Sequence, residues 1–144
     1  MQSKEKGGLI FIRLFPGEDI YRSLRKACQR HKVKTAVVLS GVGQLKKFKL
    51  GYFREKGDYA PEELENPHEL LSLTGSISHQ GRDYNFHLHV ALGNEAKGVV
   101  GGHLIEGTVD VTNEIILLKT DLVVKRVLEE DTGLQGMFLE KVEN

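Results

Sequence analysis

The sequence predicts an α+β fold, with one principal helix near the N-terminus and many strands. Three observations carry that prediction. A single stretch, from Ile20 to His31, repeats its apolar residues at helical spacing. The remaining apolar runs are short, β-branched or alternating, and turn-forming Gly, Pro and Asn residues punctuate them. At 144 residues, with 40% hydrophobic and 28% charged residues, the chain is long enough for one domain with a real core, expected to span residues 1–144.

Gly8 to Phe15 is a compact apolar run with a single Arg13, read as the first strand and ended by Pro16-Gly17. Glu18 and Asp19 then open the helix, where carboxylates suit the positive end of its dipole. Its apolar stripe is Ile20, Leu24, Ala27, Cys28 and His31, and its other face is basic, with Arg22, Arg25, Lys26 and Arg30. Cys28 is the only cysteine, which excludes an intrachain disulfide framework and a Cys-rich zinc knuckle. Its place on the apolar stripe makes it a packed thiol rather than a nucleophile.

Thr35 to Leu39 is the second strand, running into Ser40-Gly41-Val42-Gly43, read as a flexible loop. The lone GxG lacks the remaining glycine of a dinucleotide fingerprint and identifies no nucleotide site. Phe48 to Arg54 reads as a strand whose flanking Lys46, Lys47 and Lys49 suit a solvated sheet edge. Gly57 to Pro67 is an acidic surface excursion, and Leu70 to Ser78 a strand that turns at Gln80-Gly81. Later strands fall at Thr108 to Val111, Ile115 to Leu118 and Leu122 to Leu128. The small and apolar residues Thr132 to Phe138 close the chain as a subunit contact or a tail over the core.

The chemistry concentrates in His87-Leu88-His89. Tyr84, Phe86, Leu88, Val90 and Leu92 alternate with Asn85, His87, His89 and Ala91, which is strand periodicity. Two side chains on one strand face lie about 6 to 7 Å apart, a gap that two imidazoles can close around an ion. His103 follows in Gly101-Gly102-His103-Leu104. A hairpin centred near Ala96 sets His103 opposite His89, whereas a slip of register turns it to the other face. Gly101 and Gly102 leave room for a bulge or a loop entry. A polar strand face can also be merely solvated, so from residues alone both readings stand.

Among the other polar residues, Asn85 shares the histidine face, while Glu106, three positions beyond His103, has the parity of the opposite one. His31, His68 and His79 lie beside a helix end, a proline and a turn, and read as surface or capping residues.

In order, Pro16-Gly17-Glu18-Asp19-Ile20, Val37-Val38-Leu39-Ser40-Gly41-Val42-Gly43, His87-Leu88-His89 and Gly101-Gly102-His103-Leu104 resemble the plants and prokaryotes conserved domain (PPC, DUF296), over nearly the whole chain. The resemblance implies a curved, mainly antiparallel sheet, a homotrimer, and a divalent metal, usually taken to be zinc, on the histidines that fall here at His87, His89 and His103. In plants the domain is joined to AT-hook segments in nuclear DNA-binding regulators. This chain has no Arg-Gly-Arg-Pro hook and is similar to the stand-alone prokaryotic type.

Two functional readings follow. In one, three histidines hold a divalent metal, zinc first, with an open position for a small-molecule ligand or metal-assisted hydrolysis, the catalytic residues being unknown. In the other, the protein is a non-enzymatic trimeric interaction module. No serine or cysteine triad and no cofactor fingerprint supports a different chemistry. Twenty basic residues balance twenty acidic ones, so direct nucleic-acid binding is not expected, though the helix face of Arg22, Arg25, Lys26 and Arg30 is its one candidate. No apolar run reaches the ~20 residues of a membrane span, and Met1 to Gly8 lacks the apolar core of a signal peptide, so a cytoplasmic location is expected.

Overall fold

Alternation between buried and exposed side chains runs through most of the chain, and the strands it generates build one curved sheet. The structure, a computed structural model, describes residues 1–139; residues 140–144 of the expected domain lie outside the described residues. In chain order the elements are β1 (Gln2–Lys6), β2 (Leu9–Leu14), α1 (Ile20–Arg30), β3 (Thr35–Gly51), β4 (Glu62–Leu64), β5 (His68–Gln80), β6 (Asp83–Gly93), β7 (Val99–Thr120), β8 (Val124–Leu128) and β9 (Gln135–Leu139).

The main sheet is seven-stranded, in the order β1-β2-β7-β6-β5-β3-β4, and β3 pairs β7 as well. Strands β3, β5, β6 and β7 therefore close a ring, which is what curves the sheet. The strand pairings among the described residues are antiparallel. Strands β8 and β9 form a separate two-stranded sheet.

Inside the curve lie Leu14, Leu45, Phe48, Leu73, Ile77, Leu88, Leu92, Leu104 and Leu117, and α1 closes it with Ile20, Leu24, Ala27 and Cys28. Each such Leu or Ile contributes about 1.5–3 kcal/mol by leaving water. The helix begins where the sequence predicts. The Asp19 carboxylate accepts from the Arg22 amide at 2.7 Å, and His31 is the C-cap, its N–H reaching the Ala27 carbonyl. Burial pushes the Cys28 thiol up to about 12, as befits a packed residue.

Several expectations need correction. Ser40 to Gly43 is no loop, because β3 continues through it to Gly51. Gly43 sits at a positive φ of 146°, and a Cβ there would collide with the Thr112 carbonyl and Asn113, so the glycine serves the approach of β7 rather than of a ligand. Lys49 does not line a sheet edge, since β3 is paired there with both β4 and β7, and Lys47 pairs with Thr108 of β7. Lys47 instead reaches Glu63 at 2.9 Å and Glu65 at 3.1 Å, pinning part of the acidic excursion as β4.

The runs at Thr108 and Ile115 belong to one strand, β7. The polar strand β1, invisible to a search for apolar runs, pairs with β2 along its length. His68 is buried with its edge on Phe48, not on the surface, and its Nδ1 bonds the Asn66 carbonyl at 2.8 Å. His31 bonds Ser3 as well as capping the helix. The closing segment is β9, which pairs β8 and leaves Met137 and Phe138 exposed. Among the described residues no helix is long and apolar enough to cross a membrane.

Candidate metal centre

Parity along β6 builds the site. Tyr84, Leu88, Val90 and Leu92 turn inward and are buried, so His87 and His89 are left on the opposite face, both exposed. The turn after β6 is held by Asn94, whose amide donates to the Gly98 carbonyl at 2.9 Å and whose side chain accepts from the Gly98 amide at 2.9 Å. Lys97 takes the positive φ of 66° that the turn requires. The turn is thereby centred at Ala96, and His89 pairs directly with His103. Of the two registers open in the sequence, this one brings His103 to the histidine face. Gly101 and Gly102 pair in register with Ala91 and Val90, without a bulge.

The three rings lie 5.1, 5.3 and 5.6 Å apart between centroids. One nitrogen from each can be chosen so that all three fall within 4.8 Å of one another, and the Nε2 atoms of His87 and His89 are 3.2 Å apart. Burial, and then the neighbouring His89 and His87, lower His103 to about 4. His87 is lowered by burial, His89 and Arg126, in that order. Both effects favour the neutral imidazole, which is the form that ligates metals. Nδ1 of His103 is also buried without a hydrogen-bond partner. Three neutral imidazoles, each offering one nitrogen to the cluster, fit a divalent ion, and these residues could hold a metal.

Tyr59 packs its ring edge on His103 at 5.4 Å and covers Gly51, the partner of His103 on β3. It comes from the acidic excursion, where no sequence pattern pointed to it. Among the other sequence candidates, Asn85 does share the histidine face, opposite Ser78. Glu106 is exposed and pairs with Lys49, and it is not part of the cluster. His79 packs against Tyr84, and His31 and His68 lie in the places already described, so none joins the triad.

Sequence reasoning also passed over Arg126, a buried residue whose Nη2 donates to Ser76 Oγ at 2.8 Å. Its signal was present in the parity of β8, where Arg126 shares the buried face with Val124.

On the basic helix face, Arg25 is paired with Asp83 at 2.5 Å and Arg30 bonds Ser3 at 3.1 Å. Part of that charge is thus used within the chain.

Known proteins share both fold and sequence with this chain. It is 31% identical over 133 residues to the bifunctional protein GlmU of Synechococcus sp. strain JA-3-3Ab, covering 91% of this chain but 20% of that protein. The chain therefore spans about a fifth of the length of this curated relative. A plant- and prokaryote-conserved protein from Pyrococcus horikoshii is 30% identical, covering 99% of this chain and 96% of its own, with a TM-score of 0.81. A metal-containing protein from Archaeoglobus fulgidus is 29% identical, covering 93% and 95%, with a TM-score of 0.82. Residues 1–121 match the Plants and Prokaryotes Conserved (PCC) domain, and the chain belongs to that family.

Proposed function

We propose that His87, His89 and His103 bind one divalent metal ion, zinc by preference, and that the protein uses the ion's remaining position to hold a small-molecule ligand. The convergence of three ligand atoms within 4.8 Å carries this reading. The lowered proton affinity of His87 and His103 supports it, because fewer protons compete for the nitrogens near neutral pH. The description of the Archaeoglobus fulgidus relative as metal-containing points the same way. Zinc is the first choice for three imidazoles and an open site, and such an ion supplies Lewis acidity toward an oxygen of the ligand. Metal-assisted hydrolysis is the reaction class this would serve.

Metal analysis after exhaustive dialysis tests the ligand set. About one ion per chain is expected for three-histidine coordination, with stoichiometric binding lost in His87→Ala, His89→Ala and His103→Ala. Unchanged metal content in all three variants would sink the proposal. A panel of esters, phosphoesters and small anhydrides, assayed with and without metal, separates hydrolysis from ligand binding.

A second reading, a homotrimeric interaction module, is favoured by the outer sheet face. Phe11, Val37, Leu39, Val42 and Leu118 are all 40% or more exposed there, and apolar patches of this kind suit subunit contacts. Under either reading residues 1–144 are a single domain.

A further inference from the structure

Arg126 is 6% exposed, and its side chain crosses from β8 to the main sheet. Nη2 donates to Ser76 Oγ at 2.8 Å, Nη1 points to the Gln135 carbonyl at 3.4 Å, and Nε is closed to solvent without a partner. Ser76 is the direct β5 partner of His87, and directly opposed residues share a face. The guanidinium therefore stands beside the histidine triad.

Among the described residues no carboxylate forms an ion pair with Arg126, and none belongs to the histidine cluster. The side chains opposite the histidines and Asn85 are the neutral Thr74, Ser76 and Ser78. Arginine cannot shed its proton to escape burial, and an uncompensated buried cation costs several kcal/mol. A divalent ion on three neutral imidazoles would add charge to the same face without balancing it. The side chains directly opposite the histidines thus supply no negative group, and the face is open to solvent at His87 and His89.

We propose that Arg126, held by Ser76, forms with the histidine triad a binding site for a small oxyanion, a carboxylate or a phosphoryl group. One oxygen of the ligand sits at the metal and another accepts from the guanidinium. The planar, multiply donating fork of arginine matches both oxyanions. This inference rests on the metal reading and names the ligand class for that site. Arg126 lies beyond residues 1–121 matched to the family, so the subsite is supplied by the C-terminal hairpin of this chain.

Calorimetric titration of the metal-loaded protein with inorganic phosphate and, separately, acetate tests it, with metal content measured on every sample. At least one of the two anions is expected to bind the wild type. Binding should weaken by about tenfold or more in Arg126→Met, and less in Arg126→Lys, while each variant keeps its metal. Phosphate binding without acetate binding identifies a phosphoryl ligand, and the reverse a carboxylate.

Should Arg126→Met fail to fold, Ser76→Ala carries the test. It removes the hydroxyl that holds the guanidinium beside His87 and should also weaken the anion. Wild-type affinity in the folded, metal-loaded variants overturns the inference, as does a metal-loaded wild type that binds neither anion. A wild type that holds no metal overturns the metal reading instead, and anion binding that then still requires Arg126 upholds the subsite.

Discussion

His103 is the residue on which the site turns, because its side chain reaches the other two histidines only if the β6–β7 turn has one particular centre. Asn94 fixes that centre by bonding Gly98 through both its backbone and its side chain. The depressed proton affinity of His103 makes a prediction for metal-free protein. Its folded value is about 4 against an ordinary 6.5, so on acidification the unfolded chain takes up the proton first. Stability from this group is complete above pH 6.5 and declines as the pH falls toward about 4. Urea denaturation across that window should show the decline, and His103→Ala should flatten it. A wild-type slope unchanged by that substitution would contradict the assignment.

Gly75 is a second decisive residue. It has a positive φ of 136°, and a Cβ there would drive into the His87 carbonyl of the neighbouring strand. Gly75→Ala is expected to cost about 2–4 kcal/mol and to displace His87, read as a lower denaturation midpoint together with weaker metal binding. Full stability in this variant would show that β5 and β6 can separate without cost.

At the scale of the elements, the sequence signal was strongest where one physical requirement set the pattern. The helix was legible because Asp19 caps it and Ile20, Leu24, Ala27 and Cys28 recur on one buried face. Asp19→Ala should therefore lower stability by about 1 kcal/mol, measurable by thermal denaturation, without altering metal content. Strand β6 was legible for the same reason, its two faces having opposite chemistry.

Strands β3 and β7 were legible only in fragments. Gly41, Gly43 and Gly107 interrupt them with residues that read locally as turns, yet here the glycines make room for Leu73, Asn113 and Ile20. β1 escaped detection because an edge strand of alternating polar residues carries no apolar run. The burial of Arg126 was readable in the parity of β8, but its proximity to His87 depends on how a separate hairpin packs across β5, which no local pattern specifies.

On the scale of the whole molecule, closure of β3, β5, β6 and β7 into a ring divides the chain into an apolar interior sealed by α1 and an outer face with two characters. Across β2, β7 and β3 that outer face is apolar, with Phe11, Leu118 and Val37 exposed. Across β5 and β6 it is polar and carries the triad. If the apolar half is the subunit contact, native mass spectrometry or light scattering should return the mass of a trimer. Phe11→Glu should then yield monomers that keep their metal. A monomeric wild type would remove the interaction-module reading while leaving the metal site intact.

X-ray absorption at the edge of the metal that the proposal assigns to the triad distinguishes coordination by these histidines from every other arrangement. Three imidazole nitrogens at about 2.0–2.1 Å are expected, with one or two further oxygen or nitrogen scatterers, and the imidazole signal should vanish in the triple alanine variant. A sulfur shell, an all-oxygen shell, or a wild-type spectrum that survives removal of His87, His89 and His103 would contradict that assignment.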